Sequence, residues 1–184
     1  MNNAGVEILF TKTFCKKPNV RHFAIKFTST KLRMKSPSYL PTIEPVFATD
    51  YPEVVDVWEA SVRATHHFLP EADILYFKPL ILNEYLKAVH LTCVKDESSR
   101  ILGFMGVYED SLEMLFLHPD ARGKGIGKLL IRHAINDLKV KKVDVNEQNP
   151  QALGFYEHMG FEVISRSELD GLGKPYPILH MQLR

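Results

Sequence analysis

One stretch limits what this chain can fold into more than any other: residues 111–138, SLEMLFLHPDARGKGIGKLLIRHAINDL. Residues 112–117 are apolar apart from Glu113, the pattern of a strand buried on most of its surface. His118, Pro119 and Asp120 end it. From Gly125 onward, Ile126, Leu129, Leu130, Ala134 and Leu138 recur at the spacing of one helical face, which predicts an amphipathic helix to Leu138 lying against a sheet. Arg122, Gly123, Lys124, Gly125, Ile126, Gly127 and Lys128 stand where strand gives way to helix. Free backbone N–H groups and the positive helix end meet at such a junction, so it suits an anion. Glycine admits a phosphate close to the backbone, and Arg122, Lys124 and Lys128 supply charge-assisted hydrogen bonds.

The anion is narrowed by what the stretch fails to match. A Walker loop requires Ser or Thr after Gly-Lys, but Gly125 follows Lys124 and Leu129 follows Lys128. The dinucleotide fingerprint G-x-G-x-x-G reaches Lys128 when counted from Gly123 and Leu130 when counted from Gly125. The form that fits is R-x-x-G-x-G, with Arg122, Gly125 and Gly127 at its fixed places. In this the chain resembles the GNAT N-acetyltransferases, whose pyrophosphate-binding turn has that form.

A second stretch strengthens the resemblance. Residues 149–161, NPQALGFYEHMGF, match the second GNAT signature N-x-x-A-x-x-F-Y-x-x-x-G-F at every stated position. Asn149 is a good N-cap, Pro150 a good first helical residue, and Gly160 can close the helix. Further likeness, to a small bacterial branch of that family, runs through Trp58, residues 64–66, residues 145–149 and residues 173–177.

The element order agrees with that fold. Residues 44–48 read as a short strand. Asp50 to Glu53 form a D-x-x-E capping box with Pro52 in the first turn, opening a helix to about His66. A second helical stretch spans residues 71–89, disturbed near Lys78 and Pro79. Residues 91–95 and 101–108 read as a hairpin leading into the strand at 112–117. Residues 142–146, 162–168 and 178–183 supply the remaining strands. The expected fold class is α/β, a mixed, mostly antiparallel sheet flanked by helices, and the resemblance implies a V-shaped cofactor opening between the fourth and fifth core strands.

The chain has 184 residues, of which 45% are hydrophobic, enough for one domain with an ample core. No run approaches the ~18 apolar residues of a membrane span, so no membrane partner is expected. Cys15 and Cys93 are far apart without a C-x-x-C, the usage of reduced thiols in a cytoplasmic protein. Residues 1–33 form a basic extension of 7 basic residues and a single acid, leaving residues 34–184 at −5 from totals of 23 and 22. That extension reads as a targeting presequence, as a nucleic-acid arm, as short strands at residues 6–10 and 23–27, or as sequence upstream of a true start at Met34. The domain proper is expected over residues 34–184. An acidic body favours a cationic acceptor and disfavours nucleic acid.

The resemblance implies acetyl-CoA as acetyl donor and no metal. It places the pantetheine arm along the backbone of Leu115, Phe116 and Leu117, and the pyrophosphate on Arg122, Gly123, Lys124, Gly125, Ile126, Gly127 and Lys128. Asn149 would contact the arm. Tyr156 would approach the thioester sulfur as general acid, and Glu113 would serve as general base. His66 and His67, between the first two helices, fall where the family covers its acceptor; His66, Tyr176 and His180 are candidate substrate contacts. The acceptor expected is a small-molecule or protein amine, with the protein a monomer or a homodimer. An acyl-CoA-binding module without turnover is the alternative from another class.

Overall fold

The computed structural model describes residues 41–184. The strands read at residues 6–10 and 23–27, and Cys15, lie outside the described residues. Seven strands form one sheet in the order β1-β2-β3-β4-β5-β7-β6. They are β1 (Ile43–Pro45), β2 (His90–Lys95), β3 (Ile101–Tyr108), β4 (Ser111–Leu117), β5 (Lys142–Asn146), β6 (Phe161–Ser167) and β7 (Ile178–Leu183). The helices are α1 (Tyr51–Thr65), α2 (Glu71–Leu80), α3 (Leu86–Ala88), α4 (Ile126–Asn136) and α5 (Pro150–His158). All neighbouring strands are antiparallel except β4 and β5, which the α4 crossover makes parallel.

Each face of the sheet carries its own core. On one, Val54, Trp58, Ile74 and Phe77 from α1 and α2 pack on Cys93, Phe104, Met114 and Phe116. On the other, Ile126, Leu130, Ile131, Ala152 and Tyr156 from α4 and α5 pack on Met105, Leu115, Val143 and Val145. Burying each large apolar side chain stabilises by roughly 1.5–3 kcal/mol, so the two layers together fix the sheet between them.

Three local readings need correction, and a fourth takes a definite form. The Asp50–Glu53 capping box does not form. Asp50 instead accepts from the Phe47 N–H at 2.9 Å and pairs with Lys95, while Glu53 accepts from the Ile101 N–H at 2.7 Å. Both carboxylates thus tie the start of α1 to the sheet, a tertiary demand that overrides the local cap. The first strand ends at Pro45, and residues 48–50 form a 3-10 turn that leads into α1. The disturbance expected near Lys78 and Pro79 is present, as a widening of the coil and not a break. Pro79 withholds one N–H, and the coil widens into a π-helical turn over Ile81–Tyr85 before α3. Finally, α4 stops at Asn136, short of Leu138; His133 Nδ1 lies 2.6 Å from Asp137 there, and Lys139 takes a left-handed φ of 61°.

Candidate active site

β4 is one residue too long for its partner. Gly106 pairs with Met114 and Val107 with Leu112, which leaves Glu113 unmatched as a β-bulge. The side chains register the insertion: Leu112 joins the α4 core while Met114, two residues on, joins the α1 core. In a regular strand those two would share a face. Glu113 is only 4% exposed, which rules out a solvent-facing glutamate.

The same bulge marks where the sheet forks. β4 and β5 pair only at Ser111 with Lys142 and Leu112 with Val143. Beyond that point β4 stays with β3 as far as Leu117, and β5 stays with β7 as far as Asn146. The β5-facing backbone of residues 113–117 is therefore a strand edge inside the sheet, open to an added extended chain. The side chains of Leu115, Phe116 and Leu117 are buried in the two cores, Phe116 stacked on Phe104 at 5.5 Å, so only their backbone faces the fork.

At the mouth of the fork the turn takes the expected form, with a different division of labour among its glycines. Gly123 (φ 72°) and Gly125 (φ 82°) occupy left-handed backbone. Gly127 sits in a tight space instead: a Cβ there would stand 3.3 Å from Leu117 Cδ1, so that side chain would have to give by a few tenths of an ångström. Gly125 is the N-cap of α4 and no side chain caps that helix end, which leaves first-turn N–H groups to a ligand. Lys124 and Lys128 are exposed. Arg122 is turned inward, its Nη2 3.4 Å from both the carbonyl and the hydroxyl of Ser61 on α1. Lys124 and Lys128 are thus the outward-facing cationic side chains of the turn, beside its neutral backbone N–H donors.

On the opposite arm Asn149 caps α5, accepting from the Ala152 N–H at 3.1 Å. Asn146, not foreseen from sequence, accepts from the Gln148 N–H at 2.8 Å. Both are buried, and neither Nδ2 has a hydrogen-bond partner among the described residues. Two buried amide donors without acceptors are costly in a finished core and fit an amide-bearing ligand in the fork. Asn146 was legible in the run Lys142 to Asn146: Val143 and Val145 alternate inward, which sets Asp144 and Asn146 together on the other face.

Tyr156 is fully buried on α5, edge-on to Phe155 (5.4 Å) and Phe161 (5.8 Å). His66 is not an exposed loop histidine; it is the C-cap of α1, 2% exposed, with Nδ1 2.9 Å from Thr65 Oγ1 and its ring 5.1 Å from Phe68. Phe68 in turn lies 5.9 Å from Tyr176, so the fold gathers His66 and Tyr176 around one ring. His67 stays exposed. The Tyr176 hydroxyl donates to Asp73, and Lys174 pairs with the same carboxylate at 2.5 Å, fastening the β6–β7 loop to α2.

Burial, with smaller contributions from Arg122 and His67, pushes the His66 imidazole down to about 3. Its unfolded counterpart titrates near 6.5, so the unfolded chain takes up a proton that the folded chain refuses. The stability this neutral histidine lends is therefore complete above about pH 6.5 and is lost as pH falls from there toward 3, by about 1.4 kcal/mol per pH unit. Urea unfolding at about pH 7 and about pH 5 should reveal the loss, and His66→Gln should flatten it. Equal acid loss in the variant would mean that other groups carry it.

A mixed sheet forked between parallel strands, with an uncapped basic helix start at the mouth of the fork, defines an acyltransferase architecture. The chain belongs to the GNAT acetyltransferase family: the family model for the acetyltransferase (GNAT) domain matches residues 75–182. It is 41% identical to the peptidyl-lysine N-acetyltransferase YjaB of Salmonella typhimurium over 129 residues, 70% of this chain and 88% of the relative. The YjaB enzyme of Escherichia coli is 40% identical, again over 70% of this chain, and over 87% of its own length. The solution structure of apo YjaB from Escherichia coli aligns with TM-score 0.70 and 36% identity, over 78% of this chain and 97% of that one. The PaiA N-acetyltransferase of Thermoplasma acidophilum, solved with coenzyme A, shares the fold at TM-score 0.60 and 20% identity, over 79% of this chain and all 100% of that one.

Proposed function

We propose that this chain transfers an acetyl group from acetyl-CoA to the ε-amine of peptidyl lysine. The observation that carries the reading is the fork itself, an open strand edge with a buried glutamate at its apex and an uncapped helix start at its mouth. The acceptor class is supported by the two relatives named peptidyl-lysine N-acetyltransferases. The domain is taken to span residues 34–184, and a cytoplasmic setting is part of the same reading.

Acetyl-CoA, when bound, supplies a thioester carbonyl open to attack by an amine. The backbone edge of Leu115, Phe116 and Leu117 would hold its pantetheine arm, with the Asn146 and Asn149 amides donating from the other side. The first-turn N–H groups after Gly125, with Lys124 and Lys128, would hold its phosphates. An arm laid from the turn back along β4 points its reactive end at Glu113. A lysine amine has a pKa near 10.4, so freeing its lone pair at pH 7 costs about 4.6 kcal/mol. Glu113, buried on the bulge, would take that proton. Tyr156 would donate a hydrogen bond to the developing negative charge on sulfur.

The test is thermal unfolding with acetyl-CoA, CoA, NAD and GTP in parallel. At ~100 times the dissociation constant, a ligand adds about 2.7 kcal/mol, or roughly 5–11 °C in Tm. A shift with both CoA species and neither nucleotide, followed by acetylated lysine detected by mass spectrometry, is the expected result. No shift with either CoA species overturns the cofactor assignment.

A further inference from the structure

Asp144, His180 and Ser167 form a hydrogen-bonded line across three strands. Asp144 Oδ1 lies 2.9 Å from His180 Nδ1, and His180 Nε2 lies 2.7 Å from Ser167 Oγ. An ionised Asp144 can only accept, so Nδ1 carries the hydrogen, and Nε2 is left to meet the serine hydroxyl. Each member thereby orients the next, and the carboxylate at the end of the line keeps one oxygen outside it.

That carboxylate stands at the fork. Leu112 and Val143 are the last paired residues of β4 and β5, and Glu113 and Asp144 are the first residues beyond them, one on each arm. The side chains of Val143 and Val145 enter the α4 and α5 core, so Asp144 lies on the opposite face of the sheet, where α1 and α2 pack. Asn146 shares that face two residues on, 1% exposed, its Nδ2 without an acceptor among the described residues. That amide, given above to the pantetheine arm, puts the donor's reactive end and the Asp144 carboxylate on the same arm of the fork. Burial pushes the Asp144 carboxyl up, against the lowering effect of His180. An aspartate so confined gains from a cationic partner.

We propose that Asp144 is the acceptor-recognition carboxylate: it accepts a hydrogen bond from the lysine ammonium across the fork from Glu113, with His180 and Ser167 as the residues that position it. This rests on the acetyl-transfer reading above. Glu113 takes the proton that leaves the nitrogen; Asp144 holds a second N–H and the charge, and thereby selects a cationic primary amine over a neutral nucleophile.

The experiment compares two acceptors, a lysine peptide, cationic at neutral pH, and hydroxylamine, neutral there. In Asp144→Asn the KM for the lysine peptide should rise roughly 10- to 100-fold, the range of a lost charge-assisted hydrogen bond, with the KM for acetyl-CoA unchanged. The KM for hydroxylamine should stay within about twofold. His180→Gln and Ser167→Ala should give smaller rises in the same direction, for the lysine peptide alone, and Ser167→Ala supplies an independent reading should Asp144→Asn fail to fold. Equal losses with both acceptors, or an unchanged KM for the lysine peptide in folded variants, would overturn the assignment while leaving acetyl transfer standing. Wild-type protein that acetylates neither acceptor would bring down the transfer reading and this assignment with it.

Discussion

Replacing Glu113 by Gln should lower kcat for a lysine acceptor at neutral pH by roughly 10²- to 10³-fold, within the range of general-base catalysis, with little change in the KM for acetyl-CoA. The side chain is 4% exposed and sits on the bulge, so glutamine fills the same volume and removes only the basic oxygen. The deficit should narrow as pH rises, because bulk hydroxide then delivers the amine already neutral. A deficit that stays constant with pH would assign Glu113 to holding the bulge. Unchanged turnover would remove it from the chemistry altogether.

Tyr156→Phe should lower kcat by roughly 10- to 100-fold while leaving acetyl-CoA binding nearly intact. The phenol is weakly placed to give its proton away: with tyrosine near 10 and a thiol near 8.5, full donation runs uphill by roughly 2 kcal/mol. On the proposed mechanism the hydroxyl instead donates a hydrogen bond to the sulfur as it gains charge. Because Tyr156 is fully buried between Phe155 and Phe161, phenylalanine preserves the edge-on ring contacts and isolates the hydroxyl. Tyr156→Ala would cost several kcal/mol of core packing as well and would not separate the two roles. Turnover equal to wild type in Tyr156→Phe would return this side chain to the core. Together with full activity in Glu113→Gln, it would favour binding without transfer.

The element order and both motifs were legible because periodicity reports burial along a single segment. The β4 run, the α4 stripe and the Asn149 cap are all local patterns, and all appear in the fold. What depended on distant partners was not legible. Asp50 and Glu53 read as a capping box because nothing local says that Lys95 and the Ile101 N–H will claim them. His66 read as a loop residue because its burial is made by packing that its own segment does not encode. Gly127 read as a phosphate glycine, although Leu117 sets its size limit from another element. Asp144 had its signal in the alternation about Val143 and Val145, but its partner His180 lies 36 positions away.

The bulge at Glu113 has the character of an arithmetic mismatch. With the surplus residue removed, β4 and β3 would count out evenly from Tyr108 to Gly103, and side chains on one half of β4 would fall on the wrong faces. Point substitutions at 113 leave that count untouched, so they can silence the chemistry while the cleft persists. Lineages of this architecture should therefore keep the cleft through an exchange at this position and lose it through a one-codon deletion, since the doorway rests on the extra unit of chain and not on the side chain it carries.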